Sequence, residues 1–110
     1  MTDAVKSKAV VLYTSRGRLP MPYADPEAVR SLPVPDPAQL VGYVEDLVTE
    51  MFEAFPLSWR ADVEADPAEL DPGLAQSMEL VEAGMAARHP ELDAGAAKAL
   101  AWMWGYSAWK

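Results

Sequence analysis

A single histidine, His89, is the side chain of this 110-residue chain that could supply an imidazole base at neutral pH. A serine hydrolase would need a serine held beside it, and the sequence contains no G-x-S-x-G nucleophile elbow. His89 precedes Pro90 at the predicted end of a helix, where an imidazole commonly faces the partial negative charge of the last carbonyl groups. We therefore expect His89 to close a helix and the protein to be non-enzymatic.

An acidic stretch in the middle of the chain resembles a calcium loop in part. Asp62, Glu64 and Asp66 match the first, third and fifth positions of an EF-hand loop. The sixth position, which needs glycine, is Pro67, and the twelfth, which needs a bidentate glutamate, is Gly73. Because the two most demanding positions fail, we expect helix caps and a solvated loop here, with no metal and no cofactor.

One compact basic site is present, where Arg16 and Arg18 flank Gly17. Two guanidinium groups at this spacing can bind a phosphate or a carboxylate. A single glycine does not make a phosphate-binding loop, and no helix is predicted directly after it. We expect a solvated turn that serves as a secondary contact site.

The strongest binding signal is the segment "LAWMWGYSAWK", Leu100–Lys110, which we expect to be helical. At about 100° per residue, one face of this helix carries three aromatic side chains, those of Trp102, Tyr106 and Trp109. The opposite face carries Leu100 and Trp104, and Met103 lies between the two faces. A helix that is apolar on nearly every side is normally buried on every side.

Two explanations fit a helix with two apolar faces. In the first, one face packs into the fold and the other binds a protein partner or a second copy, since aromatic side chains are enriched at interfaces. In the second, the N-terminal segment covers the remaining face. Membrane binding is disfavoured, because Lys98 and Lys110 are the only positive charges near these aromatic residues.

Asp-Pro steps mark the starts of the helices that must position these residues. Asp36 can accept a hydrogen bond from a free N–H group while Pro37 takes the first helical position, which predicts a helix from Asp36 to about Phe55. Apolar residues recur in it every three or four positions, and acidic residues fall on the other side. The apolar stripe comprises Leu40, Val44, Leu47, Val48, Met51, Phe52 and Phe55.

Two further helices are predicted, at about Pro72–Arg88 and, capped by Asp93, at about Ala94–Lys110. The intervening connection, residues 56–72, contains Trp59, which we expect to anchor the loop on the core. The methionines at helical spacing are interpreted as core residues.

The N-terminal segment has a different pattern. Lys8–Thr14 is rich in β-branched and aromatic residues, and Leu19–Tyr23 alternates apolar residues with proline. With Ser15–Arg18 as a turn, these segments predict a β-hairpin, or a strand followed by an extended arm. Asp25–Leu32 is predicted to form one or two helical turns, and residues 33–37 a stiff linker.

The predicted fold is therefore mainly α, a three-helix domain with an N-terminal β-hairpin or extended arm. We expect a single small domain over residues 1–110, with the hairpin or arm and linker in 1–35 and the helical part in 36–110. The net charge is −8, and residues 36–95 carry fourteen acidic against two basic side chains. This charge disfavours nucleic-acid binding. The absence of cysteine and of a long apolar run predicts a cytoplasmic protein.

These features together favour a small acidic adaptor or complex subunit that acts through protein–protein contact, with Leu100–Trp109 as its main contact surface. One alternative is a component encoded by a phage or mobile element, either a virion assembly adaptor or an acidic inhibitor of a target with a basic surface. Such an inhibitor would present Glu45, Asp46, Glu50 and Glu53. Another alternative is a helical domain that binds a small apolar ligand in a pocket lined by methionine and tryptophan.

Overall fold

In a computed structural model the backbone is described for residues 2–56 and 72–109, and the side chains for residues 2–56 and 76–107. These residues form five α-helices and no strand. The helices are α1 (Asp3–Thr14), α2 (Pro26–Arg30), α3 (Pro37–Ala54), α4 (Pro72–Arg88) and α5 (Ala94–Trp109). The prediction of a mainly α fold is confirmed. The expected anchor Trp59 and the partial calcium loop lie outside the described residues.

The predicted strand at Lys8–Thr14 is wrong, because this segment forms most of α1. The Thr2 side chain accepts a hydrogen bond from the backbone N–H of Val5, and Ser15 ends the helix in a left-handed conformation, with φ at 66°. Ala9, Val10 and Tyr13 are buried against the other helices. Burial of these side chains at helical spacing outweighs the modest β-propensity of the Val-Val-Leu-Tyr run.

The segment Leu19–Tyr23 after α1 has no regular secondary structure and pairs with no strand among the described residues, so the predicted β-hairpin is not formed; we call this segment the arm. The Ser15 hydroxyl donates to the carbonyl oxygen of Tyr23 at 2.7 Å, and the N–H of Tyr23 donates to the carbonyl of Thr14 at 3.2 Å. The N–H of Asp25 donates to the carbonyl of Tyr13 at 2.9 Å. The arm is therefore fixed to the C-terminal turn of α1.

The Asp-Pro interpretation holds at both steps that are fully described. Asp25 accepts from the N–H of Ala28, and Asp36 accepts from the N–H of Gln39, each at 3.1 Å. Each aspartate precedes a proline at the start of a helix, as predicted. Of the expected stripe of α3, Leu40, Val44, Leu47 and Met51 are fully or almost fully buried. The other three residues of the stripe, Val48, Phe52 and Phe55, are partly buried against the core, and Val41, outside the stripe, is buried as well.

Asp93 begins α5 and also joins it to α1. Its carboxylate accepts from the N–H of Ala96 at 2.8 Å, which is the predicted cap. Its own N–H donates to the hydroxyl of the buried Ser7 at 3.0 Å. Among the described residues, no helix is both long and apolar enough to cross a membrane.

Two helical glycines differ in their surroundings. A Cβ atom at Gly84 in α4 would lie 2.6 Å from Cζ of the Phe55 ring, whereas one at Gly42 in α3 would meet no atom within 4 Å. Gly84 therefore permits the close approach of Phe55 to α4, and Gly42 has no comparable packing role.

We expect Gly42→Ala to raise the free energy of unfolding by about 0.5–1 kcal/mol, since alanine favours the helix and nothing obstructs it. Gly84→Ala should lower the free energy of unfolding by about 1 kcal/mol, because the cost of displacing the Phe55 ring outweighs the gain from the helix preference of alanine. Urea denaturation of both variants measures the difference. Equal stabilisation by the two substitutions would contradict the packing of Phe55 on Gly84.

Candidate functional site

One face of α5 belongs to the core. Trp104 and Leu100 are fully buried, and Met103 is almost so. The Trp104 indole N–H donates to the backbone carbonyl of Phe55 at 2.7 Å, which satisfies the only polar atom of this side chain. Phe55 is the residue that ends α3. The Leu100/Trp104 face therefore fixes α5 against the C-terminal end of α3.

The other face of α5 reaches the surface. Trp102 and Tyr106 are half-buried, and their rings meet edge to face with centroids 6.1 Å apart. We call these two residues the aromatic face. Trp109, predicted to share it, lies within the helical backbone of α5, and its side chain is outside the described residues. Of the interface residues predicted from the sequence, Leu100, Met103 and Trp104 are thus core residues.

A groove runs beside the aromatic face, with a volume of about 550 Å³. We call it the α4–α5 groove. Its lining comprises Arg16, Met78, Glu79, Glu82, Lys98, Ala101 and Trp102. Met78, Ala101 and Trp102 give it an apolar part, and four charged side chains, two of each sign, also line it. Such a combination suits a protein segment that has an apolar contact and polar edges.

Arg16 is brought to this groove by the turn after α1. Its guanidinium carbon lies 5.9 Å from the centroid of the Trp102 ring, within the range of a cation–π contact. The two predicted contact sites, around Arg16 and around Trp102, are therefore one surface. This proximity joins residues 86 positions apart, and no sequence pattern indicates it.

Arg18 has a different role from Arg16. One of its terminal nitrogens donates to the carbonyl of Leu12 at 2.7 Å and lies 3.4 Å from a carboxylate oxygen of Asp25. Arg18 thereby satisfies a carbonyl group in the last turn of α1. Its ion pair with Asp25 joins this turn to the residues that follow the arm. Arg18 is exposed, as expected for a solvated turn, but its guanidinium group is engaged within the fold, whereas Arg16 lines the groove.

Met78, Glu79, Glu82 and Lys98 line the groove but were missed as site residues. Met78 was interpreted as a core side chain, and it is half-buried. Residues four positions apart share a helix face, so the sequence does place Met78 with Glu82 on one face of α4 and Lys98 with Trp102 on one face of α5. Without the relative rotation of α4 and α5, the sequence does not show that these two faces adjoin.

His89 lies in a polar cluster with Glu50, Glu91 and Tyr43. Its Nε2 is 2.6 Å from a carboxylate oxygen of Glu50, and its Nδ1 is 3.4 Å from one of Glu91. Tyr43 donates its hydroxyl to the same Glu91 oxygen at 3.0 Å. His89 does follow the last residue of α4, as predicted. It additionally joins that end to α3, a connection the sequence does not indicate.

Two pKa values in the polar cluster are displaced. Burial raises the pKa of Tyr43, and the hydrogen bond to the Glu91 carboxylate raises it further. Burial also acts to raise the pKa of Glu91. This effect is outweighed by hydrogen bonds from its own backbone N–H and from Tyr43 and by the charge of His89, so the pKa lies below its usual value.

The polar cluster joins α3 to the chain that follows α4 through hydrogen bonds and close polar contacts. No side chain that could act as a nucleophile is hydrogen-bonded to His89 among the described residues. In the same part of the chain, no group of three or more histidine, cysteine, aspartate or glutamate side chains has the arrangement of a metal site.

Comparison with protein-family models, with curated proteins and with solved structures gives no match to this chain.

The lowered pKa of Glu91 predicts a pH dependence of stability. The stabilisation that ionised Glu91 contributes is complete at pH values above the pKa of Glu91 in the unfolded chain. It is lost as the pH falls through the lower pKa that Glu91 has in the folded protein. We expect Glu91→Gln to be less stable than the wild type at pH 7, and the difference to shrink as the pH falls through the acidic range to about pH 3. Urea denaturation across this pH series measures it.

Glu53→Gln is the matched control, because Glu53 is exposed on α3 outside the polar cluster. It should leave the pH profile of the wild type unchanged. A profile for Glu91→Gln that runs parallel to the wild type at every pH would show that ionised Glu91 does not stabilise the fold.

Proposed function

We propose that this protein is a small acidic adaptor or complex subunit of the cytoplasm that binds another protein chain through the α4–α5 groove and the adjoining aromatic face. One observation carries the proposal. Trp102 and Tyr106 stay half-exposed beside the groove, although they belong to a helix whose opposite face completes the core. A domain that leaves large aromatic side chains partly exposed next to a groove has the features of a binding surface.

The composition of the surface supports a protein as the partner. Tryptophan, tyrosine and arginine are the residue types that most often dominate binding free energies at protein interfaces, and Trp102, Tyr106 and Arg16 occur here together. The mixed charges of the groove, with Glu79 and Glu82 beside Arg16 and Lys98, offer no uniformly basic track for a phosphate backbone.

The acidic-inhibitor alternative has less support. Of the acidic side chains expected on one face of α3, Glu45, Asp46 and Glu53 are exposed, whereas Glu50 is committed to His89. The apolar-ligand alternative is also weaker, since Met51 and Met85 are fully buried among other core side chains. Four of the seven side chains that line the groove are charged, which suits a partner that also offers polar groups.

Site-specific photo-crosslinking tests the proposal and captures a partner of any identity. We expect the full chain with benzoylphenylalanine in place of Tyr106, expressed in the cells that naturally contain it, to form a covalent adduct with a protein. The same group at Leu80, an exposed apolar position of α4 outside the groove, is the matched control and should give no such adduct. Mass spectrometry of the adducts identifies the partner.

Trp102→Ala should reduce the yield of the Tyr106 adduct at least tenfold while the helical circular dichroism is retained, since a central aromatic contact contributes about 2 kcal/mol or more. Trp104→Ala should instead destabilise the fold by about 3–5 kcal/mol, because it removes a buried side chain. No adduct at Tyr106, or equal adducts at Tyr106 and Leu80, would contradict the proposal.

A further inference from the structure

The arm carries three apolar side chains that are about half exposed or more. Leu19, Met21 and Tyr23 are 46%, 52% and 63% exposed, and alternate with Pro20 and Pro22. The prolines restrict the backbone torsion angles of the arm. The Ser15 hydroxyl donates to the Tyr23 carbonyl and the Tyr23 N–H donates to the Thr14 carbonyl, and these two hydrogen bonds fix the C-terminal end of the arm. An exposed apolar segment that is already ordered loses little conformational entropy on binding.

The arm begins beside the α4–α5 groove. Leu19 is joined in an isolated β-bridge to Arg16, and Arg16 lines the groove and lies over Trp102. One region of the surface therefore has both an exposed apolar segment and a groove with an apolar part. A two-fold symmetric interface uses the same patch on both subunits, so the patch must carry both complementary features.

The charges of this region are also self-complementary. Arg16 and Lys98 line the groove together with Glu79 and Glu82. Within the described part of the chain, no ion pair joins Glu79, Glu82 or Lys98 to another side chain. A two-fold rotation can therefore set basic residues of one copy against acidic residues of the other.

The net charge of the chain also favours association through the arm and the α4–α5 groove. A dimer of a chain with a net charge of −8 has to keep its most acidic surfaces apart. The exposed acidic residues of α3, Glu45, Asp46 and Glu53, belong to neither the groove nor the arm. Association through the arm and groove thus uses a region of mixed charge.

We infer that the chain forms a symmetric dimer in which the arm of each copy lies in the α4–α5 groove of the other. This inference rests on the proposed function and names the partner as a second copy of the chain. The apolar side chains of the arm contact Met78, Ala101 and Trp102 of the opposite copy, and each aromatic face becomes buried.

Analytical ultracentrifugation over about 1–300 µM chain tests the dimer. The wild type should pass from the 12.0 kDa monomer to twice that mass as the concentration rises. The arm variant, Met21→Ser with Tyr23→Ser, and the groove variant, Trp102→Ala, should each raise the dimer dissociation constant at least tenfold. Leu80→Ser is the matched control, because Leu80 is exposed and apolar but lies outside both features, and it should dimerise as the wild type does.

Mixing the two variants separates arm-in-groove contact from other dimers. A homodimer of either variant has both contacts impaired, whereas a heterodimer retains one intact contact, between the arm of the groove variant and the groove of the arm variant. We therefore expect the mixture to form heterodimers at least threefold more tightly than either variant forms homodimers. A mixture that associates no more tightly than the separate variants would overturn the inference. A dimer whose dissociation constant changes neither with the arm substitutions nor with Trp102→Ala would overturn it as well.

The photo-crosslink at Tyr106 distinguishes the failure of this inference from that of the proposed function. Adducts that contain a second copy of the chain support both. A monomeric wild type with Tyr106 adducts to a different protein overturns the dimer and leaves the proposed function standing. A monomeric wild type without adducts overturns both.

Discussion

The hydrogen bond from the Trp104 indole N–H to the Phe55 carbonyl fixes the rotation of α5, and the surface of the molecule depends on it. A tryptophan can be fully buried at low cost only if its N–H finds an acceptor, and the end of α3 supplies one. Once Trp104 points inward, Trp102, two positions earlier and about 160° away around the helix, must point outward. Exposure of the aromatic face therefore follows from the burial of Trp104.

The remaining helices support this arrangement at both ends of α5. Ser7 of α1 accepts from the N–H of Asp93, which starts α5, and the turn after α1 places Arg16 over Trp102. On the α4 side, Gly105 lies so close to Met78 that a Cβ atom would collide with its side chain. Met78 is thereby held in the groove, next to the residues that would meet a partner.

Local sequence signals predict α2, α3, α4 and α5, whereas α1 and the orientation of α5 depend on long-range packing. Prolines after aspartates at α2 and α3, and the Asp93 cap of α5, are signals that act within a few residues. The β-branched residues of α1 favour a strand, and its packing against α2, α3 and α5 reverses that preference. The helical wheel separated two faces of the last helix, but which face is core depends on Phe55, 49 residues away.

Oxidative footprinting of the tryptophan side chains, read by mass spectrometry, tests which face of α5 is buried. At low micromolar chain concentration, Trp102 should be oxidised in the native protein, and Trp104 should react only when the chain unfolds. Protection of Trp102 should grow with chain concentration as the groove becomes occupied. Oxidation of Trp104 at a rate equal to or above that of Trp102 would show that the opposite face of α5 is exposed, and neither the aromatic face nor the groove could then be the binding surface.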